Sequence, residues 1–194
     1  MQTTQSISCN PLVPWLQKKA SNVYTQFGED GLIEAVFDRI GETNRQCFEI
    51  GAADGVFYSN TLRLRELGWK ALLIESDVKR YLKLEQAFGN QSICILALIK
   101  ELNHPLLNAG FETTPDLGVI DIDGQDYYLW ESLTVFKPRV MLVEINPDAH
   151  EPLPPRNEPG QAGLTVIQRL GESKGYTLVA TTFCNALFVD SSCL

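Results

Sequence analysis

Apolar residues along this chain follow two alternating rhythms. Short continuous apolar runs at 47–50, 70–75, 93–99, 117–122 and 139–145 have the length of buried strands. Between them the apolar spacing becomes helical. Leu32, Ile33, Val36, Phe37 and Ile40 predict a helix over 30–40, which Gly41 ends. Further helices are predicted over 60–67, 79–88, 127–133 and 164–173, the last closed by Gly175. Residues 105–109 have room for only one or two turns, and 176–182 with 185–190 predict a closing hairpin. Strands alternating with helices imply a doubly wound, mostly parallel α/β sheet covered on both faces, with a C-terminal antiparallel hairpin at its edge. One domain is expected over 23–194. Residues 1–22 are polar and interrupted by Pro11 and Pro14, which predicts a loosely held arm with a short helix near 15–20. The proline-rich stretch 147–159 is expected to be a loop inside the domain, because strands resume after it.

Composition narrows the partners. A chain of 194 residues with 44% hydrophobic and 21% charged residues is ordinary for one globular domain. The net charge of -8 argues against nucleic acid, which needs a basic surface; Lys79, Arg80 and Lys83 are too few to make one. The five cysteines include no C-x-x-C pair, and Cys47 and Cys94 sit in apolar runs, so a reducing cytoplasm is expected. No apolar run has the length of a membrane span, and the N-terminus lacks signal-peptide character.

The chemistry concentrates after the strands. Residues 48–55, FEIGAADG, form a strand, a small-residue turn and the approach to a helix. The next strand ends in Glu75. A strand, a glycine turn and an acid on the following strand are what a Rossmann-like site uses to hold a nucleoside. Gly51 and Gly55 let the backbone approach a ligand, and Glu75 is placed to accept from two ribose hydroxyls. The dinucleotide pattern is absent, since Ala53 and Val56 stand where its later glycines belong. Glu49 and Asp54 would repel a pyrophosphate and suit a cationic amino-acid tail. The bland alternative is a Rossmann-like domain whose turn is merely tight.

The order acid-x-Gly-x-x-x-Gly, with an acid ending the next strand, resembles class I S-adenosylmethionine-dependent methyltransferases. More closely, YTQFGEDGLIEAVF, FEIGAADGVFYSNT, GWKALLIESD, VIDIDGQDYYLWESL and PRVMLVEIN resemble bacterial methyltransferase-like proteins of the FkbM type. The resemblance runs from about Tyr24 to Asp190. It implies S-adenosylmethionine as cofactor, with Glu49, Gly51 and Gly55 around its methionine part, Glu75 on the ribose and Ser76 beside the adenine. Ala52, Asp54 and Asn60 complete the candidate cofactor-binding set. The family's acid near the end of the third strand has no counterpart in Leu96-Ala97-Leu98.

A second group of carboxylates follows the fourth and fifth strands. Strand alternation would put Asp121 and Asp123 on one side, and Glu144 and Asn146 are related in the same way. All four are expected to converge beside the donor pocket. One reading makes Asp121, Asp123 or Glu144 a general base for an acceptor hydroxyl or amine. A second makes Asp121, Asp123, Glu144 and Asn146 ligands of a divalent metal such as Mg²⁺, Ca²⁺ or Mn²⁺. A third is structural, with Asp121 binding loop backbone and Asp123-Gly124 making a turn. His150, in the proline-rich stretch, is a further candidate base, whereas His104 reads as a surface residue. Tyr24, Gln26, Glu29 and Asp30 either close over the cofactor, as the resemblance suggests, or cap a helix. Tyr127 or Tyr128 is a candidate for facing substrate, Trp130 is expected in the core, and Arg156 is either an anion clamp or a solvated loop side chain.

The function expected is methyl transfer from S-adenosylmethionine to oxygen, or less readily nitrogen, of a small molecule, sugar or natural-product intermediate. The alternatives are a non-catalytic Rossmann-like partner domain and a nicotinamide-dependent oxidoreductase, the latter disfavoured by the missing glycines. The short chain leaves room for a homo-oligomer or partner protein to complete the pocket.

Overall fold

The computed structural model describes residues 12–111, 113–149 and 153–194. Seven strands build one sheet: β1 (Gln46–Ile50), β2 (Lys70–Glu75), β3 (Ile93–Leu96), β4 (Leu117–Ile120), β5 (Val140–Glu144), β6 (Tyr176–Thr181) and β7 (Asn185–Asp190). Their order is β3-β2-β1-β4-β5-β7-β6. The first five strands run parallel, and β7 is antiparallel to both β5 and β6. The hairpin is therefore present as expected, but it folds inward: its second strand lies between β5 and β6.

The continuous apolar runs follow from burial on two faces. On one face Cys47, Leu73, Val119, Leu142 and Leu187 pack with Leu32, Ile33, Val36 and Phe37 of α2 (Glu29–Ile40) and Leu84 of α4 (Val78–Phe88). On the other, Phe48, Leu72, Ile120, Met141 and Phe188 meet Leu106 of α5 (Asn103–Asn108), Trp130 of α6 (Asp126–Ser132) and Ile167 of α7 (Leu164–Ser173). Trp130 is thus a core residue, packed on the rings of Tyr176 and Phe188. The remaining helices are α1 (Leu12–Gln17) and α3 (Leu62–Glu66). The short helix expected near 15–20 begins earlier. It inserts Leu16 into the core, and Gln17 Nε2 donates to Thr181 O at 2.8 Å, so this part of the arm lies packed on β6.

Predicted and observed strands differ mostly at their C-terminal ends. β3 stops at Leu96 and β4 at Ile120, short of the expected 99 and 122. The chain leaves the ladder there to line a cavity. His104 lies on α5 rather than in a loop, exposed, with its ring nitrogen 2.8 Å from Glu101. Cys47 is buried and Cys94 is half-buried, and both are free thiols. No helix among the described residues is long and apolar enough to cross a membrane.

Candidate active site

Strand order reverses between β1 and β4, and ligands in open α/β sheets bind beyond the strand ends at such a point. A cavity of about 680 Å³ opens there. The turn after β1, the end of β2, the segment Ala97–Ile99 and the ends of β4 and β5 contribute its lining.

Gly51 is the pivot of the first wall. Its φ is +85°, and a Cβ there would stand 1.7 Å from Asp121 O. Its N–H and that of Ala52 donate to Ile74 O, binding the turn to β2. Gly55, at φ +78°, sits against the side chains of Leu84 and Phe88. Arg65 clamps the outside of this turn, donating from Nη2 to Gly55 O and Ser59 Oγ while stacking over the Phe88 ring at 4.3 Å. Nothing in the residue order had marked Arg65.

The acids of this wall serve as acceptors for the loop. Glu49 takes the Ser59 hydroxyl at 2.8 Å, the Thr61 hydroxyl at 2.5 Å and the Asn60 N–H at 2.7 Å. Glu75 takes Ala53 N–H at 2.8 Å on Oε2, and Ser76 and Asp77 N–H at 2.7 Å on Oε1. Two carboxylate oxygens have about four acceptor sites, so Glu75 keeps capacity for a ligand hydroxyl. Asp54 accepts from Phe57 and Val56 N–H, and the Phe57 bond holds its carboxyl below the usual range. All three line the cavity, as do Ala52, Asn60 and Ser76; Gly55 stands just behind.

The second wall gathers carboxyl groups against one another. The β4–β5 register pairs Ile120 with Val143, so Asp121 and Glu144 follow side by side. Burial, then the charges of Glu144, Asp126, Glu49 and Asp123, push the Asp121 carboxyl up to about 8. Burial also raises Glu144, while the Asp123 N–H that it accepts at 2.8 Å restrains it. One proton shared by the pair, seated on Asp121, satisfies both shifts. Asn60 Nδ2 reaches Asp121 at 3.4 Å, a weak contact that ties the two walls.

The structure changes the expected grouping in several places. Asp123 does not share a strand face with Asp121, because β4 has already ended and Asp123 turns with φ 57°. Asp123 instead enters through its backbone, donating N–H to Glu144 at 2.8 Å, with its own carboxylate exposed on the cavity lining. Asn146 is not part of the group; its side chain accepts Asp148 N–H at 2.9 Å. Among the described residues no three His, Cys, Asp or Glu side chains are arranged to hold a metal ion, so the metal reading finds no ligand set. His150 lies outside the described residues.

Asp126 was overlooked. It is fully buried, and its two oxygens accept Ile122 and Gly124 N–H at 3.0 Å each, shaping the turn that carries Asp123. Burial and Glu144 push it up to about 7. Its place as the first residue of α6, in DIDGQD, was the available signal.

Glu29 and Asp30 lie in the first turn of α2 without capping it by a side-chain bond, and neither lines the cavity. Gly28 holds the N-cap position with no side-chain bond. Asp30 accepts the N–H groups of Val23, Tyr24 and Thr25, and Glu29 binds Phe27 N–H, Thr182 and Asn185. From that segment Gln26 lines the cavity. Tyr127 and Tyr128 do not. Tyr128 donates to Pro154 O and is covered by Arg156, which pairs with Glu131, so the proline-rich segment is pinned to α6.

No protein-family model matches the chain, and no curated protein does. Solved structures do. A S-adenosylmethionine-dependent methyltransferase from Clostridium acetobutylicum superposes with a TM-score of 0.57 at 8% identity, covering 85% of this chain and 92% of that one. A TehB-like SAM-dependent methyltransferase from Corynebacterium glutamicum gives 0.53 at 13%, covering 91% and 93%. Magnesium protoporphyrin IX methyltransferase from Synechocystis, solved with bound SAH, gives 0.53 at 12%, covering 81% and 78%. The chain thus has the α/β fold of S-adenosylmethionine-dependent methyltransferases.

Proposed function

We propose that the protein is an S-adenosylmethionine-dependent methyltransferase acting on oxygen, or less readily nitrogen, of a small molecule. One observation carries the reading: a single cavity joins Glu75 at the end of β2 to the Asp121–Glu144 pair beyond β4 and β5. The residues fit the cofactor. Glu75 keeps acceptor capacity for a ribose, and Ala97, Leu98 and Ile99 make an apolar wall suited to adenine. Gly51 packs directly against Asp121 O at the cavity wall, and the carboxyls near it suit a sulfonium and an ammonium. The FkbM-type relationship rests on the sequence segments alone.

When bound, S-adenosylmethionine supplies a sulfonium methyl whose bond to sulfur breaks as the bond to the acceptor forms. The protein's own contribution is positional and protonic. The Asp121–Glu144 pair holds one proton and offers one carboxylate, which takes the proton leaving the acceptor. Asp123 N–H and Asn60 Nδ2 hold these two carboxyls in place.

S-adenosylhomocysteine binding tests the reading. We expect a thermal shift with the wild-type chain, density from Glu75 to Asp121 in a soaked crystal, and roughly tenfold weaker binding in Glu75→Gln, about 1.4 kcal/mol. Absence of any shift would remove the cofactor from the reading. Binding without turnover across a broad acceptor panel would favour the non-catalytic partner domain instead.

A further inference from the structure

Two exposed aromatic rings line the same cavity. Phe57 is 63% and Tyr58 45% exposed, with ring centroids 3.9 Å apart. They stand on the loop that ends at Asn60, whose amide reaches Asp121. A second exposed ring pair, Phe27 and Phe183 at 5.2 Å, flanks the lining residues Gln26 and Cys184 in sequence. Leaving large rings in water forgoes the burial that stabilises them elsewhere, and contiguous exposed apolar surface marks binding sites.

The backbone is also strained where the rings are presented. Among the described residues, Arg45, Ala53, Tyr58, Asp123 and Asn157 are the non-glycine residues at positive φ, and Ala53, Tyr58 and Asp123 line this cavity. Such conformations cost on the order of 1–3 kcal/mol and gather at ligand sites. At φ 55° Tyr58 holds its ring against Phe57 at the cavity, not in the core.

Charge then limits what the rings can receive. The cations on the cavity lining, Arg80 and Lys83, both come from α4, next to Glu75 and Asp77. The walls from β1, β4 and β5 carry Glu49, Asp121, Asp123 and Glu144, and the described lining residues of those walls include no lysine, arginine or histidine. Like charge excludes an anionic acceptor, and the electron-rich faces of Phe57 and Tyr58 reinforce that exclusion while welcoming a cation.

Building on the methyl-transfer reading, we infer that the acceptor is a flat aromatic molecule, neutral or cationic, that stacks on Phe57 and Tyr58 and presents a phenolic hydroxyl or amine to the Asp121–Glu144 pair. Carboxylated, phosphorylated and sugar-like acceptors are rejected. The nucleophile's proton goes to the pair, its lone pair forms the new bond to the methyl carbon, and the electrons of the broken bond stay on sulfur.

Ligand-observed NMR titration of the full chain with tyramine, 4-hydroxybenzoate and methyl glucoside, each with and without S-adenosylhomocysteine, tests this. Tyramine should bind at least about tenfold more tightly than the other two. The Phe57→Ala/Tyr58→Ala variant should lose about tenfold for tyramine, within reach of two aromatic contacts, while S-adenosylhomocysteine still shifts its melting temperature. Tyr58→Phe should restore tyramine binding. Preference for 4-hydroxybenzoate or methyl glucoside, or unchanged tyramine binding in the double variant, overturns the inference. Tyramine binding without any S-adenosylhomocysteine binding keeps this inference and removes the cofactor reading; the converse removes this inference alone.

Discussion

Asp116 and Asp121 stand just before and just after β4, and their fates are opposite. Burial pushes both carboxyls up. Asp116, fully buried, is met by the Thr43 hydroxyl at 2.5 Å, by the N–H groups of Thr43, Asn44 and Arg45 and by Arg139 at 3.1 Å, and its carboxyl falls below the usual range. Asp121 is met by other carboxyls and one distant amide, and it rises to about 8. Donors make an acid into a structural staple; like charges keep one in reserve for proton transfer. The end of the sheet before β4 holds the fold, and the end after it gathers the carboxyls on which the proposed chemistry rests.

The largest expected effect is on turnover. Glu144→Gln should lower kcat by about 10²–10⁴-fold, the range of general-base catalysis, while the protein stays folded and binds S-adenosylhomocysteine. Steady-state rates beside a denaturation curve check this, and full activity would dissolve the contrast between the two ends. Asp116→Ala should do the reverse. Removing one partner from a buried set of donors costs about 3–5 kcal/mol in chemical denaturation, with kcat of the folded fraction unchanged.

Gly51→Ala probes the seam between the regions. Its Cβ has no place beside Asp121 O, and at φ +85° the strain adds to the clash. A loss of about 3 kcal/mol or more is expected, together with loss of S-adenosylhomocysteine binding. Normal binding in this variant would show that the turn relaxes without consequence.

The smallest effect is the pH dependence of stability, where the two aspartates again pull opposite ways. Asp116, depressed in the fold, contributes stability present above its unfolded value of about 3.9 and lost as pH falls through the lower folded value. Asp121, raised to about 8, makes the folded state the better proton binder, so stability declines as pH rises from about 4 to about 8 and is flat beyond. Asp121→Asn should flatten that decline in melting curves taken between those limits. A decline left intact would place the shared proton elsewhere.

Much of this architecture was legible along the chain, because burial on two faces leaves continuous apolar strands and one-faced helices leave a 3.6-residue period. The small residues at Gly51 and Gly55 and the acid at Glu75 were legible too, since close backbone approach and ribose binding demand those types in that order. Strand alternation misled at Asp123, because that rule holds only while the ladder lasts and β4 ends at Ile120. Arg65 and Asp126 were missed because each acts in part on backbone atoms, Gly55 O and the N–H groups of Ile122 and Gly124, that no residue pattern displays.

The sequence by itself determined the alternation of elements, the glycine turn and the presence of acids after β1, β2, β4 and β5. Only the tertiary structure decided what each acid does. The inward place of β7, the β4–β5 register and the loop 59–61 choose which carboxyls receive donors and which face one another. A carboxyl's protonation depends on groups within a few ångströms in space, and those are set by packing between segments far apart along the chain.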